Sequence, residues 1–239
     1  MTSSTSSTSG QHFQSILTNT SEPKKETGKA LLPHRMLIVT WRSILIVVCL
    51  VGIVLDSLTT GFLPQLVYFT LQSNIFLTVY LGYALWTTTR KTAEPASVLT
   101  GSVILYILIT GLVYNLVLSK GPILLSGSPG SILLHFCAPI MAMLDWLLFV
   151  PHGRLRWRNA LNWLIYPLAY LVFVLIRGPL VPGPHRYPYF FVNVDQIGYG
   201  GVALNTLIYG IAFWLLGLLL IVLDRMMTRL SNRRRDART

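Results

Sequence analysis

The sequence predicts an all-α fold: an integral membrane bundle of six transmembrane helices. Three observations predict it. Six apolar runs follow one another, each close to the roughly 20 residues that a helix rising about 1.5 Å per residue needs to cross a bilayer core of about 30 Å. Of 239 residues, 53% are hydrophobic and only 11% are charged. Of the 19 Lys and Arg residues, all but Lys120, Arg177 and Arg186 fall on one side of the membrane that the runs imply. An even number of spans puts both termini on one face. The bias of basic residues marks that face as cytoplasmic, and the expected location is the plasma membrane.

The elements follow in order. Residues 1–36 open on MTSSTSSTSG and continue through EPKKETGK, too polar to bury a core, and read as a disordered cytoplasmic tail. They lack the basic start, apolar centre and small-residue cleavage site of a secretory signal. Residues 37–225 form the six-helix domain, with spans expected at 38–61, 65–89, 97–118, 131–150, 159–177 and 198–225. The connections are short except between Arg177 and Gly198. There GPLVPGPHRYPYFFVNVD, with four prolines and four Tyr or Phe residues, reads as an outer loop lying against the mouth of the bundle. Residues 226–239 form a basic cytoplasmic tail that can also attract anionic lipid. The +11 formal charge is therefore a matter of topology and not of nucleic-acid binding. Cys49 and Cys137 have no metal-ligand spacing and read as buried apolar side chains.

Polar groups inside a span are costly, about 2.5–3.5 kcal/mol for a charge at mid-helix on insertion scales, so each asks for a partner or a role. One set lies near the outer end: Asp56, Thr70, Ser73, Asn74, Asn115, His135, Arg177, Asp195 and Asn205. Every helix supplies a member at similar depth, which points to a polar cavity open to the outer face. The plainer reading of each residue alone is helix–helix hydrogen bonding. Gly111 and Asn115, one turn apart, are expected to face the interior. At the inner end, Asp145 is expected to pair with Arg42.

Thr70 and His135 at one depth on neighbouring helices have the makings of nucleophile and base. Asp56 is the candidate to orient the imidazole, and Asn74 or Asn115 to donate to an oxyanion. Arg177 and Asn205 are candidate binding residues. The chain has no GxSxG, HExxH, P-loop, GxGxxG or CxxC motif, and no metal or cofactor is expected.

FTLQSN at Phe69–Asn74, GLVYN at Gly111–Asn115, LLHFCAPIMAMLDWLLF at Leu133–Phe149, YPLAY at Tyr166–Tyr170 and YPYFF at Tyr187–Phe191 resemble a bacterial family of six-span integral membrane proteins. The resemblance runs from about Arg35 to Arg225. That family is distantly similar to the eukaryotic androgen-induced and androgen-dependent transmembrane threonine hydrolases, which cleave fatty acid esters of hydroxy fatty acids. The resemblance implies Thr70 as nucleophile, His135 as its partner and a lipid or fatty-acyl ester as substrate. Three functions stand open. A lipid ester hydrolase needs an apolar groove beside the polar pocket. A non-catalytic scaffold or sensor leaves the polar set as structural hydrogen bonds. A small-solute transporter calls for polarity through the full depth and some repeat symmetry, and the sequence shows neither.

Overall fold

A computed structural model describes residues 27–119, 121, 124, 127–183 and 186–236. The expected disordered tail lies outside these residues as far as 26, as does Lys120. The described chain is all-α, six long helices with no strand. They are α1 (Thr27–Thr60), α2 (Phe69–Arg90), α3 (Ser97–Leu118), α4 (Pro129–Phe149), α5 (Trp157–Leu180) and α6 (Val194–Asp236). A short helical turn, Phe62–Gln65, joins α1 to α2.

Five of the six, α1, α3, α4, α5 and α6, contain stretches long and apolar enough to cross a membrane. The chain is a multi-pass membrane protein. The sixth helix, α2, has the length but not the same apolarity, because it carries Thr70, Gln72, Ser73, Asn74, Thr78, Thr87 and Thr88. Ten of its 22 residues are buried, Ser73, Asn74, Thr87 and Thr88 among them, so these polar groups face protein.

Exposed and buried faces are inverted relative to a soluble bundle. On α1, Ile44, Val47, Val51, Val54 and Leu58 recur at helical spacing and are exposed, whereas Arg42, Leu45 and Cys49 are fully buried. This is the arrangement that hydrocarbon favours, with apolar side chains outward and polar ones inward.

The helix ends have local causes. α2 stops where Lys91 adopts a left-handed conformation and the Thr92 N–H returns to the Thr87 carbonyl at 3.1 Å. α4 starts at Pro129, two residues before the expected boundary, because the Ser128 hydroxyl caps the Ser131 N–H at 3.2 Å with proline in the first turn. α6 continues to Asp236, past the expected end at 225, through arginines that favour helix. α1 likewise begins at Thr27, before the expected boundary at 37.

Two helices are opened by prolines. α4 widens into a π-turn at Leu133–Cys137. Pro139 cannot donate to the His135 carbonyl four residues back and its ring crowds that oxygen. In α5, Pro167 does the same to Trp163, at the bend between Trp157–Asn162 and Ile165–Leu180.

The end opposite Thr70 is held by buried charge. Arg42 gives Nε to Asp145 at 3.3 Å, and Nη1 to Thr88 Oγ1 at 2.8 Å, the Ala84 carbonyl at 3.1 Å and Glu94 at 3.3 Å. The expected Arg42–Asp145 pair is present, with Glu94 as an additional partner. At the same end, Asp224 of α6 accepts from His152 at 3.2 Å and from the Leu155 N–H at 3.1 Å. Between the two ends, Leu45, Cys49, Leu77, Leu81, Ala138 and Ala142 form a fully buried apolar layer.

Candidate functional site

The Thr70 Oγ and His135 Nε2 lie 3.1 Å apart. Thr70 sits in the first turn of α2, directly after the bend at Leu66–Tyr68, and His135 sits at the centre of the α4 π-turn. The other ring nitrogen, Nδ1, is 3.0 Å from the Ser131 carbonyl. A carbonyl can only accept, so Nδ1 carries the hydrogen. Nε2 then presents its lone pair to the Thr70 hydroxyl, which is the tautomer a general base requires. The Tyr114 ring stacks on the imidazole, with centroids 3.7 Å apart and planes at 25°. Position and tautomer are thus both set by neighbours.

The orienting group is not the one expected. Asp56 lines the same cavity, but the imidazole Nδ1 is already taken by Ser131, one turn back on the same helix. The two asparagines also have other work. Asn115 donates to the Gly111 carbonyl at 2.8 Å and to the His135 carbonyl at 3.1 Å. Asn74 donates to the Thr70 carbonyl at 2.9 Å and to the Leu134 carbonyl at 3.4 Å. Both amide groups are spent on backbone, so neither is placed to stabilise an oxyanion. They fix the backbones of Thr70 and His135 instead. Gly111 does face the interior: a Cβ there would lie 3.0 Å from the Pro139 ring and 3.2 Å from the His135 carbonyl. Its lack of a side chain lets α3 reach the widened turn.

Arg177 and Asn205 serve the loop between α5 and α6. Arg177 donates to the Arg186 carbonyl at 2.7 Å, and Asn205 to the Phe191 carbonyl at 3.0 Å. They brace the segment that brings Tyr189 over the site. Tyr189 meets Tyr68 edge-on at 5.8 Å and stacks on Phe191 at 5.1 Å. Burial pushes its phenol up to about 12, the neighbouring Thr70 hydroxyl pulling the other way, so it stays protonated as a donor at neutral pH.

Two cavities meet at Thr70. The first, about 330 Å³, is the more polar of the two and is lined by Asp56, Thr59, Gln65, Tyr68, Ser131 and His135, among others. The second, about 110 Å³, is apolar and runs along Phe69, Ile109, Val113, Leu168, Leu171 and Phe213. Thr70, Tyr114, Leu118 and Tyr189 border both. The apolar cavity lies between α3, α5 and α6. α6 packs closely on the opening segment of α5, Trp157–Asn162, and beyond it this cavity fills the space between them.

The arrangement offers a hydroxyl with an adjacent base, a protonated phenol and separate polar and apolar compartments. No group of three or more His, Cys, Asp or Glu residues with metal-binding geometry occurs among the described residues. Comparison with protein-family models, with curated proteins and with solved structures finds no match. Sequence reasoning missed Ser131, Tyr114 and Tyr189. Ser131 acts through its backbone, which no side-chain pattern reports. Tyr114 lies inside the quoted GLVYN and Tyr189 inside YPYFF, but their roles depend on helix rotation and loop path.

Proposed function

We propose that this protein is a lipid ester hydrolase in which Thr70 is the nucleophile and His135 the general base. The observation that carries the reading is the 3.1 Å contact between Thr70 Oγ and His135 Nε2, with the base tautomer fixed by Ser131. The resemblance to the transmembrane threonine hydrolases points the same way. So does the apolar cavity beside the polar one, which matches a substrate with one chain and one head.

The steps balance as an ester hydrolysis. Thr70 Oγ attacks the acyl carbon while His135 Nε2 takes its proton. Breaking the ester bond releases the alcohol, which leaves with that proton. Water then gives a proton to His135 and attacks the acyl-threonine, and Thr70 leaves with the proton as the free acid forms. Tyr189, which borders both cavities at Thr70, is the donor we assign to the developing oxyanion, since Asn74 and Asn115 are engaged. Tyr114 stacks on the ring that becomes cationic.

The buried apolar layer between the two polar ends counts against a transport path. The distribution of basic residues supports an orientation with both termini cytoplasmic and the site near the outer face, in a membrane taken here to be the plasma membrane. Hydrolysis of long-chain esters by purified protein, against Thr70→Ala and His135→Ala, tests the reading. Each substitution should reduce turnover at least about 10³-fold. Equal turnover by parent and Thr70→Ala would refute it.

A further inference from the structure

We propose that the polar cavity receives an uncharged, hydroxyl-bearing or cationic head group and disfavours an anionic one, with Asp56 as the discriminating residue. The proposal rests on the hydrolase reading. The two cavities assign the ends of the substrate. Among the described residues, the apolar cavity has no Lys, Arg, Asp or Glu in its lining, and it takes the first part of the acyl chain. With the acyl carbon at Thr70, the alcohol part falls into the cavity that Asp56 and Tyr68 line, where the Thr59 hydroxyl and the Gln65 amide already donate to the Asp56 carbonyl at 2.7 Å.

Among the described residues lining that cavity, Asp56 is the only carboxyl group and none is a Lys or Arg. Arg186 is paired with Asp195, Arg177 at the end of α5 donates to the Arg186 carbonyl, and neither lines the cavity. His135 must be neutral to act as base. The cavity floor lies among apolar helices, which focus the field of a single carboxylate. A like charge about 6 Å from it, at an effective dielectric of about 20, is disfavoured by about 100-fold, and by less as salt rises. A cation at the same place is favoured, and a glycerol-like head gains hydrogen bonds without the electrostatic cost.

The test uses full-length protein in nanodiscs with three hexadecanoyl esters, of glycerol, choline and glycolate, which share the acyl chain and carry a neutral, a cationic and an anionic head; the Asp56→Asn comparison isolates the part that is due to charge. The expected kcat/KM for the glycolate ester is about tenfold or more below the other two, and Asp56→Asn should collapse that gap. Hydrolysis of all three at similar rates overturns the proposal and leaves the hydrolase reading intact. No hydrolysis of any ester overturns the hydrolase reading. Binding of three non-hydrolysable ethers then decides the head preference: 1-O-hexadecylglycerol, O-hexadecylcholine and hexadecyloxyacetate. Weaker binding of the acetate, relieved in Asp56→Asn, supports the proposal; equal binding of all three overturns it. Asp56→Ser serves in both arms if the Asn variant fails to fold.

Discussion

Removing either partner of the Arg42–Asp145 pair should destabilise the bundle strongly, but not equally. Both side chains are almost wholly buried, at 0% and 3% exposure, while Glu94 retains 27%. In Asp145→Leu, Arg42 keeps Thr88, the Ala84 carbonyl and Glu94, so its charge still has a partner that reaches water. In Arg42→Leu, Asp145 is left as a buried carboxylate without its cation. Breaking a buried pair costs about 3–5 kcal/mol, and the structure places Asp145→Leu at the lower end and Arg42→Leu at the upper. The double substitution Arg42→Leu/Asp145→Leu removes both buried charges and leaves Glu94 to solvent, so it should recover about half or more of the loss. Equilibrium denaturation in mixed micelles, followed by Trp fluorescence, measures all four proteins. Additive losses in the double variant, or a smaller loss for Arg42→Leu than for Asp145→Leu, would refute the reasoning.

Other outcomes follow from individual contacts. Tyr189→Phe should lower kcat by about 10²-fold while leaving expression and thermal stability near the parent's, as measured by esterase kinetics and melting. Gly210→Phe should suppress hydrolysis of long-chain esters and spare acetyl esters, read as the kcat/KM ratio. A Cβ at Gly210 meets nothing within 4 Å, and the ring would fill the apolar cavity that Gly210 lines. Gly101→Ala should cost about 1–3 kcal/mol in the same denaturation assay, since its Cβ would fall 2.4 Å from the Trp163 ring. That ring is held by burial and by its Nε1–H bond to the Val98 carbonyl at 3.0 Å.

What was legible in the sequence is what depth alone determines. Apolar runs fix the helices. The position of a residue along its run fixes the end of the bundle where it lies, so Thr70 and His135, and Arg42 and Asp145, could be paired by depth. Rotation about each helix axis and competition for hydrogen bonds were not legible. Asn74 and Asn115 look like free amides on a polar face, yet each is claimed by carbonyls of its own helix and a neighbour. Asp56 lies at the right depth to orient His135, but a backbone carbonyl one turn away reaches the ring first. Glu94 falls in the loop after α2, where a carboxylate reads as solvent-exposed, and only the packed fold brings it to Arg42.

The prolines connect helix geometry to chemistry and lead to the last prediction. Pro139 and Pro167 each leave the carbonyl four residues back without a helical donor, and in both cases α3 supplies one. Asn115 reaches the His135 carbonyl at 3.1 Å, and the Tyr106 hydroxyl reaches the Trp163 carbonyl at 3.1 Å. α3 therefore grips α4 and α5 at the points where their own ladders fail. In α4 that point is the residue whose imidazole faces Thr70. In Pro139→Ala, the new N–H can bond the His135 carbonyl and the ring no longer crowds it, so the π-turn can close to regular α-helix. Closure takes the carbonyl from Asn115 and rotates the His135 side chain relative to Thr70. A gain or no change in stability is expected, because a helix-interior proline typically costs about 3 kcal/mol and its removal restores a backbone bond. Activity should nevertheless fall by about tenfold or more, because a base displaced by about 1 Å loses its contact with the nucleophile. Melting temperature and ester turnover on the same preparation read the two effects. A variant that melts lower yet keeps full turnover would show that Pro139 only stabilises α4, and that the widened turn does not position His135.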